Sequence, residues 1–266
     1  MKDKIILLVS LLIIFGILLF KYIDFQCKYA RENKLTIKLK KIKNPIKITQ
    51  ITDFHSNSLK NLDYVLDKIK KFDADFIILT GDINDYGVKK KFDKAIYFLK
   101  KLSELGIRTY YISGNHEEAG PMFDEFIKEI QKLKIKYLSN SSDSIKVNGN
   151  ELYIFGLTYY DFDYEKYKGG KDTVNIILSH YSKNVRDNLK GSEDIIFSGH
   201  THGGQVRLPI IGAIYAPGEG FFPKYDKGLF DIKSKKLYID SGLGNTLLNL
   251  RFLNRVQFSN ITIKRQ

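Results

Sequence analysis

All five histidines of this chain lie in four short motifs, each next to Asp, Asn, Ser or Gly at the end of an apolar, β-like run. The motifs are Asp53-Phe54-His55, Gly114-Asn115-His116-Glu117, Ser179-His180 and Gly199-His200-Thr201-His202. A chain that used histidine for general packing would scatter it. Imidazole placed only beside acids, amides and glycines indicates metal ligation or proton transfer. The chain must therefore fold so that several strand ends meet at one place.

Short apolar runs alternate with segments of helical spacing from Ile46 onwards. The spacing predicts strands at 46–51, 76–80 and 109–112, and helices at 61–72, 92–105 and 123–133. Continuous apolar strands that are separated by helices indicate parallel pairing, with both faces of the sheet buried.

The second half of the chain has more turns. The pattern predicts a hairpin around Asn148-Gly149, strands at 175–179 and 194–198, an antiparallel pair at 228–232 and 236–240, and a closing strand at 256–263. We therefore expect an α/β fold in which two mixed β-sheets pack as a sandwich with flanking helices, in four αββα layers. Each histidine motif should follow the C-terminal end of a strand, which is where open α/β sheets bind ligands.

The N-terminus is apolar from Ile5 to Phe20, interrupted only by Ser10 and Gly16. Sixteen helical residues span about 24 Å, against a hydrocarbon core of roughly 30 Å, so flanking lysines would have to reach the interface. We predict a single-pass membrane anchor over residues 1–23. The alternative is a cleaved signal peptide, but no small-x-small cleavage site follows the apolar run.

Positive charge is concentrated directly after this apolar run. Nine Lys/Arg and two acidic residues between Lys21 and Lys47 carry +7 of the chain's net +13. We predict a basic juxtamembrane segment at 24–45 that contacts an anionic membrane surface, although a solvated spacer would have the same composition. The catalytic domain is predicted at 46–266. The excess of positive charge after the apolar run favours an orientation in which this domain faces the cytoplasm. The single cysteine, Cys27, excludes an intramolecular disulfide.

The motifs together offer carboxylate, carboxamide and imidazole donors and no thiolate. They are too many for one tetrahedral zinc, and they suit two divalent ions, of Mn, Fe or Zn, that share a bridging carboxylate. Two such ions bridged by an attacking hydroxide are used for in-line attack at phosphorus. The predicted metal ligands are Asp53, His55, Asp82, Asn115, His180, His200 and His202.

These motifs, together with Gly81-Asp82-x-x-Asp85, resemble the motifs of the calcineurin-like metallophosphoesterase family and occur in the same order. The string from Gly199 to Pro209 and the predicted anchor are similar to those of the membrane-anchored bacterial branch of this family. The resemblance implies that Asp53, His55, Asp82 and His202 hold one ion, and that Asp82, Asn115, His180 and His200 hold the other. It further implies that His116 is catalytic and protonates the leaving oxygen or steadies the phosphate, with Asp85 orienting it. Arg207 is a candidate for substrate binding. The chain departs from the branch at 247–251 and 254–257, where we would expect proline and a Pro-Glu pair.

The expected function is a membrane-tethered, dimetal phosphoesterase. The bond that it hydrolyses would be a phosphodiester, pyrophosphate or phosphomonoester. The substrate that carries this bond is expected to be a lipid-linked or envelope-precursor molecule. A nuclease or nucleotide phosphodiesterase is the alternative enzyme, but no aromatic and basic platform for a single strand is evident, so no specific nucleic-acid partner is predicted. No protein partner is evident either. A non-catalytic interaction scaffold is the third possibility, and it conflicts with the complete ligand set.

Overall fold

The computed structural model describes residues 1–85, 89–246 and 249–266 of the 266-residue chain. Elements of the first half run in the order α1 Lys2–Lys28, β1 Arg31–Leu39, β2 Ile46–Ile51, α2 Leu62–Phe72, β3 Phe76–Thr80, α3 Lys89–Ser103, β4 Thr109–Ile112, α4 Asn115–Glu118, α5 Phe123–Lys132 and β5 Lys136–Tyr137. Leu247 and Leu248, two of the positions that depart from the branch, fall outside the described residues.

The second half is richer in strands. It contains β6 Ser141–Val147, β7 Asn150–Gly156, β8 Val174–Leu178, α6 Lys183–Arg186, β9 Ile195–Ser198, β10 Arg207–Leu208, β11 Gly212–Ala213, β12 Tyr215–Ala216, β13 Gly220–Phe221, β14 Gly228–Ile232, β15 Lys235–Ile239 and β16 Gln257–Arg265. The predicted strands and helices are confirmed, with ends that move by up to three residues.

Two six-stranded mixed sheets form the centre of the fold. The first has the order β1-β16-β2-β3-β4-β5 and the second the order β14-β15-β9-β8-β7-β6. Strands β2 to β5 are parallel, and β16 lies antiparallel to β2. In the second sheet β7, β8, β9 and β15 are parallel, while β6 and β14 are antiparallel edge strands. The mixed-sheet prediction is therefore confirmed.

Buried side chains fill three layers. The layer between the sheets takes alternate residues of strands from both, among them Ile48, Phe76, Ile176 and Phe197. Helices α2, α3 and α5 cover the outer face of the first sheet. The outer face of the second sheet is covered by the one-turn helix α6, the 3-10 turn Tyr164–Lys166 and an aromatic cluster. The predicted four layers are present, with a thin helical layer on this second side.

Strand β1 lies before the predicted domain start at residue 46. All nine of its residues pair in parallel with β16, and Ile37 and Leu39 are buried between the sheets. Part of the segment 24–45 is therefore a strand of the first sheet, and its contact with a membrane surface stays a prediction. Its alternating burial, with lysines outward and aliphatic side chains inward, is the pattern of an edge strand with one covered face.

Helix α1 continues beyond the predicted anchor, to Lys28. Among the described residues it is the one helix that is long and apolar enough to cross a membrane. Its large apolar side chains from Ile5 to Phe20 are mostly exposed, whereas Gln26 and Cys27 are buried against the rest of the fold.

Candidate metal centre

The seven predicted metal ligands and His116 follow the C-terminal ends of five strands. Asp53 and His55 come after β2, Asp82 after β3, and Asn115 and His116 after β4. The remaining three follow strands of the second sheet: His180 after β8, and His200 and His202 after β9. The strands that precede these loops are parallel within each sheet, and the two sheets are stacked, so the loops meet at one edge of the sandwich.

Several of these residues have left-handed backbone conformations. The φ angles are 48° at Asp53, 46° at His55, 53° at Asp82, 71° at His200 and 51° at His202. Non-glycine residues adopt this region rarely, and such strain persists only where the surrounding structure enforces it. Its concentration here indicates that the loops are shaped to aim side chains at a common point.

The first group of donors consists of Asp53, His55 and His202. Their donor atoms lie within 4.8 Å of one another, and all three residues are buried. The Nε2 atoms of His55 and His202 are 3.1 Å apart, and the His202 Nε2 atom is 3.3 Å from an Asp53 carboxylate oxygen. Burial lowers the pKa of His55 to about 4 and that of His202 well below its usual value, so both imidazoles are neutral. Neutral nitrogens beside a carboxylate fit a divalent ion.

The second group consists of Asp82, His180 and His200. His180 Nδ1 lies 2.7 Å from the Thr80 carbonyl oxygen, to which it donates, and its Nε2 lies 3.2 Å from Asp82. Burial opposes the charged imidazole, but the Asp82 carboxylate outweighs burial and raises the pKa of His180 to about 10. The hydrogen bond to Thr80 directs Nε2 toward the cluster, where a divalent ion would replace the proton. The predicted amide ligand is adjacent: Asn115 Oδ1 lies 3.1 Å from His200 Nδ1.

Asp82 connects the two groups. Its carboxylate is 3.2 Å from His180 and 3.5 Å from His55, which belong to different groups. The position is that expected of a bridging ligand. Burial raises the pKa of the neighbouring Asp53 carboxyl to about 7, with repulsion from Asp82 adding to the shift. Two crowded, buried carboxylates are stabilised by positive charge, so the cluster fits divalent ions.

His116 and Asp85 form a pair at the rim of the cluster. His116 Nδ1 lies 2.7 Å from Asp85 Oδ1, and the His116 main-chain nitrogen donates to Asp82 at 2.9 Å. Burial opposes the charged imidazole, but the bond to Asp85 outweighs it and raises the pKa of His116. Burial likewise opposes the Asp85 carboxylate, but the bonds from His116 and Lys91 lower its pKa to about 2. A protonated imidazole held by a carboxylate can deliver a proton.

A cavity of about 320 Å³ opens next to this pair. His55, Asp85 and His116 lie on its wall, so part of the cluster is reachable from solvent. Three lysines, Lys28, Lys91 and Lys94, line the same cavity. Their positive charge suits an anionic ligand.

Arg207 does not line the cavity. Its guanidinium donates to Asp226 Oδ2 at 2.5 Å and to the Gly203 carbonyl oxygen at 2.8 Å. The structure therefore pairs the Arg207 guanidinium with Asp226, and substrate binding by Arg207 stays a prediction.

Two buried ionisable residues support the cluster without having been predicted. Glu117 accepts hydrogen bonds from the main-chain nitrogens of Asp82, Asn84 and Gly114, each at 2.9 Å, and so joins the β3 and β4 loops. Arg251 is fully buried, and its guanidinium donates to the carbonyl oxygens of Ser241 and Gly244 and lies 3.4 Å from His202 Nδ1. The only sequence signal for Glu117 is its place after His116, and for Arg251 an arginine within an apolar stretch.

Comparison with protein families decides the class of this site. The family described as calcineurin-like phosphoesterase matches residues 46–204, which is more than half of the chain and contains every predicted ligand. The chain belongs to the calcineurin-like phosphoesterase family. The predicted family is thus confirmed, as is a metal-dependent phosphoester hydrolase that uses two divalent ions. The individual ligand assignments and the role of His116 stay predictions.

Curated relatives of this phosphoesterase come mainly from bacteria. The metallophosphoesterase YkuE of Bacillus subtilis is 27% identical, over 82% of this chain and 79% of the relative. A metallophosphoesterase of Helicobacter pylori is 28% identical over 82% of this chain, but the match spans only 59% of that protein. The phosphodiesterase YaeI of Escherichia coli is 25% identical, over 76% of each chain.

The fold is also found among solved structures. The sulfate thiohydrolase SoxB of Thermus thermophilus superimposes with a TM-score of 0.51, over 75% of this chain and 52% of that one, at 10% identity. This likeness concerns the fold alone, and the phosphoesterase spans about half the length of that structure.

Proposed function

We propose that this phosphoesterase is tethered to a membrane and cleaves a phosphodiester, pyrophosphate or phosphomonoester bond of a lipid-linked or envelope-precursor substrate. The observation that carries the proposal is the position of Lys28. It is the last residue of α1 and also lines the cavity that holds His55 and His116. An anchored chain would therefore present its cavity close to the point where α1 leaves the bilayer.

The proposed chemistry divides between the two donor groups and the His116–Asp85 pair. Two divalent ions, when bound by the seven predicted ligands, would supply an activated water and neutralise the phosphate charge. Lys28, Lys91 and Lys94 attract the anionic substrate into the cavity. His116 donates a proton to the departing oxygen, and Asp85 holds the imidazole at 2.7 Å in the orientation that this requires.

Two features favour a phosphodiester. The Escherichia coli relative bears the name phosphodiesterase. The cavity, at about 320 Å³, also has room for substituents on both sides of a phosphate. A nucleic acid would need a longer basic track with stacking aromatics, and the described wall of the cavity carries no Phe, Tyr or Trp.

The test uses the full-length chain in detergent micelles, loaded with manganese or zinc. Elemental analysis should find two ions per chain, and less than half an equivalent would contradict the dimetal proposal. Bis(p-nitrophenyl) phosphate, p-nitrophenyl phosphate, a lipid pyrophosphate, phospholipids and single-stranded DNA are then compared. Preference for lipid phosphoesters supports the proposal, whereas preference for DNA overturns it in favour of a nuclease.

A further inference from the structure

The chain that follows His202 carries an unusual amount of exposed apolar surface. Residues 207–222 form two small hairpins, β10–β11 and β12–β13, which we call the apolar hairpin pair. Outside α1, the described residues include twelve large apolar side chains with exposed surface, and six of them lie in this pair: Leu208, Ile210, Ile211, Tyr215, Phe221 and Phe222. Scattered exposed apolar side chains are normal, but a concentrated patch marks an interaction surface.

The backbone holds two of these side chains outward. Ile210, at the tip of the first hairpin, is fully exposed and has a φ angle of 70°. Phe222 is 66% exposed with a φ angle of 49°. Left-handed conformations are costly for a β-branched residue, and here no burial of the side chain offsets that cost within the chain.

The patch adjoins the end of the anchor helix. The ring of Tyr22, in α1, packs edge-on against the ring of Phe252 at 5.7 Å. The Phe252 carbonyl oxygen in turn accepts a hydrogen bond from the main-chain nitrogen of Arg207 at 3.0 Å, at the start of the first hairpin. Ile210 is three residues further on, within about 10 Å of that bond. The two hairpins share Ile214, whose nitrogen donates to the Val206 carbonyl oxygen at 3.2 Å and whose carbonyl oxygen accepts from the Phe222 nitrogen at 2.9 Å.

The helix end is also fixed in direction. The Cys27 carbonyl oxygen accepts from Asn57 Nδ2 at 3.0 Å, and the Lys28 carbonyl oxygen accepts from the Lys60 nitrogen at 2.9 Å. The Val256 nitrogen donates to the Gln26 carbonyl oxygen at 3.0 Å. Bonds on several sides of the last helical turn prevent the helix from swinging freely. A bilayer crossed by α1 therefore meets a defined face of the domain.

The hairpin pair also borders the metal centre. Tyr181 donates a hydrogen bond to the Gly218 carbonyl oxygen at 2.6 Å, and the Tyr181 ring lies 4.9 Å from the ring of His200. Gln205, two residues before the pair, accepts a hydrogen bond from the Thr246 hydroxyl at 2.8 Å, and Thr246 lines the cavity. The same segment thus contacts the site and carries the exposed apolar tips.

We propose that the apolar hairpin pair is a second membrane contact, whose side chains enter the interfacial layer of the bilayer that α1 crosses. Continuity with the anchor favours lipid over a protein partner, and Lys21 and Lys224, which flank the two regions in the chain, suit anionic headgroups. The substrate class then becomes a phosphoester in the headgroup layer of a membrane lipid. The membrane contact rests on the tether of the proposed function but not on its catalytic part, whereas the substrate class rests on both.

The contact is tested on the full-length chain in phosphatidylcholine and phosphatidylglycerol vesicles. Ile210→Cys and Phe222→Cys are labelled with a fluorophore and mixed with lipids that carry a quenching nitroxide. The native Cys27 is 2% exposed, so the unsubstituted chain serves as the blank for labelling. Lys146→Cys is the matched control, because Lys146 in β6 pairs with Glu151 near the start of β7, at the end of the sheet opposite the metal centre. Quenching at 210 and 222 but not at 146 supports the contact. Unquenched labels at both hairpin positions overturn it.

A second arm separates the contact from catalysis. Ile210→Glu/Phe222→Glu should lose hydrolysis of vesicle phospholipid while keeping hydrolysis of soluble bis(p-nitrophenyl) phosphate, and Lys146→Glu should keep both. Equal loss on both substrates would contradict a role specific to the membrane. If the labels are quenched but the chain hydrolyses neither substrate, the membrane contact is supported and the proposed function is contradicted. If the enzyme is active but the labels are unquenched, the proposed function is supported and the membrane contact is contradicted.

Discussion

At the scale of single residues, His116 differs from its neighbours because it contacts the cluster without belonging to either ligand set of the proposal. We expect His116→Gln to reduce turnover of substrates with poor leaving groups by roughly 10²–10⁴-fold, since it removes a proton donor. Substrates with good leaving groups, such as p-nitrophenyl esters, should lose much less. The metal content should stay at two ions per chain. Rates over a series of leaving groups and elemental analysis measure both quantities.

His180→Ala is the control for this prediction, because it removes a proposed ligand whose Nε2 lies 3.2 Å from Asp82. It should lose metal as well as activity. If His116→Gln lost metal as readily as His180→Ala, the proton-donor role of His116 would be wrong. Asp85→Asn should act in the direction of His116→Gln but more weakly, because Asp85 positions the imidazole and does not itself transfer the proton.

The residue types of the site could be predicted because they occur at short, fixed spacings after strands. Asp53-x-His55 and His200-x-His202 each place two donors on one loop, and the parallel strands then gather the loops. Arg251 could not be predicted, because its contacts with the carbonyl oxygens of Ser241 and Gly244 depend on the path of a loop that has no local pattern. Its burial needs several carbonyl acceptors, which only the folded chain supplies.

At the scale of elements, the close approach of the β3 and β4 loops depends on Gly114. A Cβ atom there would lie 2.2 Å from Asp82 Oδ1 and 2.7 Å from the Asp82 nitrogen. We expect Gly114→Ala to push these loops apart and displace the bridging carboxylate, with loss of activity and weaker metal retention. Activity against bis(p-nitrophenyl) phosphate and metal content after dialysis measure the effect.

Gly170→Ala is the matched control for that substitution. The nearest atom to its added Cβ would be Thr173 Oγ1 at 3.6 Å, an ordinary contact, so activity and metal content should stay near those of the parent chain. Equal behaviour of the two alanine variants would show that the close contact at Gly114 is not needed.

Strand β1 shows how charge can conceal an element. The alternation of Leu35, Ile37 and Leu39 is a strand signal of period two, but the lysines between them also read as a basic stretch beside a membrane. The segment is a strand because it pairs with β16, which lies more than 200 residues away in the chain. A local pattern cannot reveal such a partner.

Removal of β1 should therefore destabilise the domain. We expect a chain that begins at Lys21 to fold, and a chain that begins at Lys43 to unfold at lower temperature or to aggregate. The shorter chain exposes β16 as an edge and loses the burial of Ile37 and Leu39, worth about 1.5–3 kcal/mol each. That loss is large beside a typical domain stability of about 5–15 kcal/mol. Thermal unfolding followed by circular dichroism compares the two, and equal midpoints would contradict an integral role for β1.

At the scale of the whole molecule, the end of α1 lies beside the edge of the sandwich that carries the site. Lys28 at the end of α1 lines the same cavity as His55 and His116, and the apolar hairpin pair contacts the metal centre through Tyr181. The sandwich itself could be predicted from alternating apolar runs and helices. The placement of the anchor relative to the site could not, because it depends on contacts such as Tyr22 with Phe252 between the two ends of the chain.

The charge distribution predicts the side of the membrane on which the proposed anchor would hold the domain. Lys2 and Lys4 precede the apolar run, whereas five basic residues, Lys21, Lys28, Arg31, Lys34 and Lys38, follow it within about 18 residues. Positive residues are retained on the cytoplasmic side, so we expect the catalytic domain to face the cytoplasm, with the lysines at the anionic inner leaflet. The part of this bias that lies in β1 is fixed within the folded sheet, but it still acts during insertion, before the sheet forms.

Protease accessibility tests this orientation. In intact spheroplasts an externally added protease should leave the domain uncut, and in inverted membrane vesicles it should cleave exposed loops of the same full-length chain. Protection has to come from the membrane and not from tight folding, so lysed spheroplasts treated in parallel must show cleavage. Cleavage in intact spheroplasts would place the domain outside the membrane. The lipid phosphoester would then have to be presented by the outer leaflet, and the positive charge after α1 would be a consequence of the lysine-rich strand β1 alone.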